Sequence, residues 1–117
     1  MTKDRYVLTA WRIPGKIGEK PSDDWNKPCV MLQHGLFDNS RSWLINEKSD
    51  NLAFQLVDLG YDVWITNSRG NIESFEHMDP ETHSVFDWSS DYWKFSFDHM
   101  GEFDVPANIE FILQHTN

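Results

Sequence analysis

The 117-residue chain has one cysteine, Cys29, which leaves no partner for an internal disulfide and no multi-cysteine zinc site. No apolar run approaches the ~18 residues that cross a bilayer, so no transmembrane segment is read. The opening Met1-Thr-Lys-Asp-Arg5 lacks the apolar core of a signal peptide, and no Asn-x-Ser/Thr sequon occurs. Internal repeats and low-complexity tracts are also missing. Basic side chains are scarce in one half only. Residues 1–60 hold eight basic and eight acidic groups, whereas residues 61–117 hold two and eleven, so the second half carries the whole net charge of −9. Nucleic acid and anionic membrane surfaces need clustered Lys and Arg, so neither is expected as a partner. The apolar fraction is a low 39%, yet 15% of residues are aromatic, which argues against disorder. The length suits one domain.

Alternation over Arg5–Ile13 predicts a strand, ended by the turn formers of residues 14–27. Cys29-Val-Met-Leu32 is apolar without alternation, which predicts a strand buried on both faces, with Cys29 packed in the core. Residues 36–49 read as a loop with room for one helical turn. Asp50–Gly60 reads as a helix that buries Leu52, Leu56 and Leu59 beside Ala53 and Val57. Ser49 or Asp50 would cap it and Gly60 would follow its end. Tyr61–Thr66 predicts a second buried strand, and Asn67-Ser-Arg-Gly70 a turn. Residues 71–90 read as irregular. Two helical pieces follow, Tyr92–Met100 and a helix through Val105–Leu113 with Asp104 as N-cap and Pro106 in its first turn. Strand–helix–strand order with short apolar strands implies an α/β fold with a largely parallel sheet. The acidic stretch from Glu73 to Glu110 reads as a solvated face.

The chemistry-bearing motif is Leu32-Gln-His-Gly-Leu36, directly after a buried-type strand. A His-Gly at the carboxyl end of a strand sets backbone N–H groups where α/β enzymes build their sites, although a tight turn after a strand also takes Gly for conformational reasons. The longer pattern favours the site. Tyr6-Val-Leu-Thr with Arg12-Ile-Pro14, Gln33-His-Gly-Leu36 with Trp43, Leu52-Ala-Phe54, Gly60-Tyr-Asp-Val-Trp64, Asn67-Ser-Arg-Gly-Asn71, and Trp93-x-Phe-Ser-Phe-Asp-x-Met100 running on to Phe103-Asp-Val-Pro-Ala107 and Ile109-x-Phe-Ile-Leu113 occur in that order. In their order and spacing they resemble the acid lipase family of α/β-hydrolases, which includes gastric and lysosomal acid lipases.

The resemblance implies the N-terminal part of an α/β-hydrolase fold, a single incomplete domain over 1–117 that stops before the nucleophile-elbow strand. It implies a carboxylic ester hydrolase that acts on triacylglycerol or sterol ester at a lipid–water interface, through a Ser–His–Asp triad and without a cofactor or metal. It assigns Leu36 as the backbone oxyanion-hole donor, with His34 and Gly35 shaping the loop. One such donor is worth about 10²–10³ in turnover. Phe37 replaces a second Leu of the family and would reshape the acyl-side wall. The triad itself is not in this chain. No Gly-x-Ser-x-Gly occurs, and Ser68 in Thr66-Asn-Ser-Arg-Gly70 lacks the first glycine, so it reads as structural. The chain alone is therefore expected to be inactive. Its strands would be covered by the remainder of the hydrolase domain or by a protein partner, and the resemblance implies a secreted or lysosomal setting. The alternative is a non-catalytic remnant of the fold that acts as a subunit or interaction module.

Other candidates have plainer readings. His77, Asp79, Glu81 and His83 are close in sequence but do not follow the helical His-Glu-x-x-His spacing, and a solvated loop explains them. Tyr92, Trp93, Phe95 and Phe97 could line an acyl site, and at their spacing they read first as packing residues. Gly101 should weaken the helix that contains it.

Overall fold

A computed structural model describes residues 1–19, 26–79 and 86–116. Its centre is one strand. β4 (Asp62–Thr66) has all five residues buried, because strands flank it on both sides and apolar side chains cover both faces. β3 (Cys29–Gln33) runs parallel to it, with Val30 opposite Val63 and Leu32 opposite Ile65. β2 (Ala10–Ile13) runs antiparallel on the other side, with Ile13 opposite Val63 and Arg12 opposite Trp64. The sheet order is β2-β4-β3, so this sheet is mixed rather than largely parallel.

The expected strand over Arg5–Ile13 is in fact two strands in two sheets. β1 (Tyr6–Val7) leaves the main sheet at Leu8-Thr9 and pairs antiparallel with β5 (Glu76–His77). The break has a side-chain cause. The Thr9 N–H donates to Ser74 Oγ and the Thr9 carbonyl accepts from Asn67 Nδ2, both at 2.9 Å, so side chains take the bonds that a continuing ladder would use.

Alternation along β4 sends Val63 and Ile65 to one face, where they meet Leu32, Ala53 and Val57 in the core, with Trp43 and Leu56 packed against them. Helix α1 (Leu52–Asp58) therefore buries Ala53 and Val57 and leaves Leu52 and Leu59 exposed, which corrects the expected Leu52/Leu59 face. Its cap is Asn51, whose Oδ1 accepts from the Phe54 N–H at 3.2 Å, and not Ser49 or Asp50. Gly60 at φ +94° reverses the chain into β4. On the opposite face Trp64 meets Phe111 edge-on at 6.0 Å and holds the Arg12 guanidinium 4.8 Å from its ring. The Arg12 guanidinium in turn donates to the buried Asp62 at 2.7 Å from its nearer amino group.

Residues 36–50 contain two 3₁₀ turns, Ser40–Leu44 and Lys48–Asp50. The last stretch is one helical run rather than two capped helices. A 3₁₀ turn (Asp91–Trp93) precedes α2 (Phe97–His99), which passes through a π segment (Met100–Asp104) into α3 (Val105–Thr116). Ser96 opens this run with a reciprocal capping box to His99. Asp104 is internal to it and caps nothing. Gly101 falls inside the π segment, where the helix departs from α geometry. Cys29 is exposed at the start of β3, not packed in the core, because β3 is an edge strand among the described residues. No described helix is long and apolar enough to cross a membrane.

Ile65 is fully buried whereas Leu59 is 76% exposed. Ile65→Ala should lower the unfolding free energy of the natural polypeptide by about 2–5 kcal/mol, and Leu59→Ala by less than about 0.5 kcal/mol. Denaturant midpoints at unchanged slope measure both.

Candidate active site

The carboxyl end of β3 leads through His34 into a tight turn. The Asp38 N–H donates to the Gly35 carbonyl at 3.3 Å, Phe37 has φ +63°, and Leu36 keeps a negative φ, which together define a type II turn with Leu36 second and Phe37 third. A left-handed phenylalanine carries strain that glycine would avoid. Its ring is fully solvent-exposed, and Leu36 is 60% exposed. The N–H groups of Gly35, Leu36 and Phe37 meet no acceptor among the described residues. A Cβ added at Gly35 would touch nothing within 4 Å, so packing in this chain does not require glycine there.

His34 fixes the entry to this turn. Its Nδ1–H donates to the Gly35 carbonyl at 2.7 Å, and its Nε2 accepts from the Ser68 N–H at 3.1 Å and from Asn71 Nδ2 at 3.0 Å. These partners assign the Nδ1–H tautomer and occupy the Nε2 lone pair. His34 is thus a structural acceptor and not an available base. Behind it lies a network of buried amides. Asn67 Oδ1 accepts from the Ser40 N–H and from Asn71 Nδ2, both at 2.9 Å, and Asn108 Nδ2 of α3 donates to the Asn67 carbonyl at 3.3 Å. The turn after β3, the 3₁₀ turn at Ser40, the end of β4 and α3 meet at these side chains.

Comparison with known proteins bears on this site. The family model for the "partial alpha/beta-hydrolase lipase region" matches residues 1–47, through β3 and the turn. Human lipase member K is 44% identical over 115 residues, which is 98% of this chain and 27% of that protein. Mouse gastric triacylglycerol lipase is 44% identical over 117 residues, 99% of this chain and 28% of the lipase. Human lysosomal acid lipase/cholesteryl ester hydrolase is 46% identical over 116 residues, covering 98% and 27%. The chain is similar to these lipases over nearly its whole length. It spans under a third of the length of the curated relatives it matches.

Ser68 is not poised as a nucleophile. It is buried, its Oγ accepts from Gln33 Nε2 at 3.1 Å, and among the described residues no histidine nitrogen pairs with that oxygen. The next residue is the structural anchor. Arg69 is buried; its Nε and one amino group donate to Asp104 Oδ1 at 2.9 and 2.8 Å, and its backbone N–H donates to Asp104 Oδ2 at 2.8 Å. The guanidinium also donates to both Asp4 oxygens and lies 4.0 Å from the Tyr6 ring centroid. Burial pushes the Asp104 carboxyl above the ordinary carboxylate range, against the pull of Arg69. At the rim, burial of Asp4 is outweighed by Arg69 and Thr2, and its carboxyl lies below that range. Asp104 and Glu73, which pairs with Arg41, are therefore not part of a solvated acidic face.

The aromatic group divides. Tyr92 is fully buried on Tyr6, Trp93 and Phe95 are not exposed, and Phe97 is 69% exposed, so it alone departs from a packing role. Phe95 and Trp93 also close over Gly70, whose φ of +78° and missing Cβ leave the only room for them. His77 Nε2–H donates to the Asp4 carbonyl and its Nδ1 accepts from the Asp79 N–H, both at 3.0 Å; Glu81 and His83 lie outside the described residues. Among the described residues no three His, Cys, Asp or Glu side chains are placed to hold a metal.

Sequence reading singled out Leu36, His34 and Gly35, and the turn brings them together. It missed Asn71, Asn67, Arg69 and Asp104 as determinants. The signal available was a run of polar, non-charge-balanced residues immediately after the most buried strand, where polar groups must find partners.

Arg69→Met should cost about 3–5 kcal/mol of stability by leaving the Asp104 charge buried and unpaired, and adding Asp104→Leu should recover much of it. Thermal or denaturant unfolding of the two variants measures this. Alkali is a second probe. Burial, with Tyr6 beside it, pushes the Tyr92 phenol up to about 12. The unfolded phenol ionises near 10, so this stabilisation is complete below about pH 10 and lost as pH rises to about 12, up to about 3 kcal/mol in all. Unfolding followed against pH should show that loss in the wild type and a smaller one in Tyr92→Phe, where the Tyr6 phenol, also raised by burial, remains.

Proposed function

We propose that this region serves a lipase that cleaves carboxylic esters of lipids, triacylglycerol or sterol ester, by acyl transfer, with the Leu36 N–H as one oxyanion-hole donor. Attack on an ester carbonyl moves negative charge onto its oxygen, and a fixed N–H aimed there lowers the barrier without reorganising at the moment of reaction. The observation that carries the reading is an N–H with no acceptor among the described residues, held on an exposed type II turn at the carboxyl end of a sheet strand. The bare Gly35 beside it leaves the approach open. The exposed Leu36 and Phe37 side chains offer apolar surface to an acyl chain at a lipid–water interface. The names of the gastric and lysosomal relatives support the substrate class and a secreted or lysosomal setting.

The nucleophile, its base and the orienting acid would come from sequence outside this region, whose strand edges β2 and β3 would be covered by that remainder of the domain. The 117-residue chain alone should hydrolyse no ester. A proline suits the second position of a type II turn, so Leu36→Pro removes the N–H while keeping the turn. In the natural polypeptide that carries this region, Leu36→Pro should lower turnover of a short-chain nitrophenyl ester about 10²–10³-fold at an unchanged denaturant midpoint. Unchanged turnover would reject the donor role, and a natural polypeptide with no esterase activity would favour the non-catalytic subunit instead.

A further inference from the structure

Asn71 touches both flanks of the turn that carries Leu36. Its Nδ2 donates to His34 Nε2, before the turn, at 3.0 Å, and reaches the Asp38 carbonyl, after it, at 3.4 Å. The same amide nitrogen donates to Asn67 Oδ1 at 2.9 Å. Two hydrogens serve three acceptors, so the Asp38 contact is the shared and weakest one. Asn71 Oδ1 accepts from the Glu73 N–H at 3.0 Å, which fixes which end of the amide faces the turn. Glu73 in turn pairs with Arg41 in the 3₁₀ turn that follows Asn39. The amide is therefore locked on its own side and presents its donors to the turn. Aspartate would keep the acceptor for Glu73 and lose every donor, and alanine would lose both.

We infer that Asn71 is a positioning residue for the oxyanion turn: by holding His34 and Asp38 together it sets the direction of the Leu36 N–H. This inference rests on the reading of Leu36 as the donor. Asn71 touches no reacting atom. It acts through His34, whose ring passes the constraint to the Gly35 carbonyl, and through the Asp38 end of the turn.

A double-mutant cycle in the natural full-length polypeptide tests it. Asn71→Ala and Asn71→Asp should each lower kcat for a short-chain nitrophenyl ester by on the order of 10²-fold, the cost of misplacing a reacting group, with little change in KM. In the Leu36→Pro background, where no donor remains to be aimed, adding Asn71→Ala should cost no more than about threefold. Additive losses would overturn the inference, as would full activity in Asn71→Asp. Leu36→Pro without effect would instead remove the donor reading, and this inference with it, so the two failures are distinguishable. Amide hydrogen exchange gives a readout free of activity. In Asn71→Ala the Asp38 and Ser68 amides should exchange faster while the β4 amides stay protected. Loss of β4 protection in both variants would make Asn71 a folding residue and overturn the positioning role.

Discussion

The Arg69 guanidinium is the interaction on which the rest of the structure depends. It joins the N-terminal segment at Asp4, the loop after β4, and the helical run at Asp104, segments separated by 65 and 35 residues in sequence. Desolvating a guanidinium and a carboxylate is expensive, and the attraction repays it only when the bonds are well aligned and the remaining donors are satisfied. Both conditions hold. Both amino groups and Nε have carboxylate partners, the Tyr6 ring covers one face, and the backbone N–H of Arg69 takes the second oxygen of Asp104. The π segment immediately before α3 ends at Asp104, so the ion pair sits where the helical run returns to α geometry.

Once Arg69 is fixed, its neighbours in sequence are fixed with it, and these neighbours form the wall of the candidate site. Asn67 and Asn71 lie on either side of Arg69; Asn71 faces the turn after β3, and Asn67 ties Asn71 to Thr9 and to the Ser40 N–H. They convert a rigid ion pair in the interior into a rigid backbone at the surface. This division of labour suits a site that must present an N–H without moving. The charged group anchors, and neutral amides, which cost less to bury, carry the geometry outward.

Polar burial here is concentrated at one end of the sheet. Thr66, Asn67, Ser68 and Arg69 are all buried at the carboxyl end of β4, while the apolar cluster of Leu32, Val63 and Ile65 with α1 sits behind them. The exposed apolar side chains at that end, Leu36 and Phe37, stand on the turn itself. The sheet is therefore stabilised by hydrophobic burial along its length and specified by hydrogen bonds at its tip, beside the turn that carries Leu36.

The sequence alone was enough for β3, β4, α1 and the final helix, because each depends on a local pattern of apolar residues that burial on one or two faces requires. It was enough, through the order of short motifs, for the lipase resemblance and for placing Leu36 on a turn. Tertiary structure alone decided the features whose partners lie far away. Leu8-Thr9 breaks a strand because Ser74 and Asn67 take its bonds. Cys29 is exposed because β3 lies at an edge. α1 turns Val57 and not Leu59 inward because β4 presents Val63 and Ile65 to it. Asp104 carries the sequence marks of a helix cap, yet it spends its carboxylate on Arg69, since a buried guanidinium outbids a helix N–H for a nearby charge. Periodicity reports which way a residue faces within its own element. It does not report which polar group, dozens of residues away, will be waiting there.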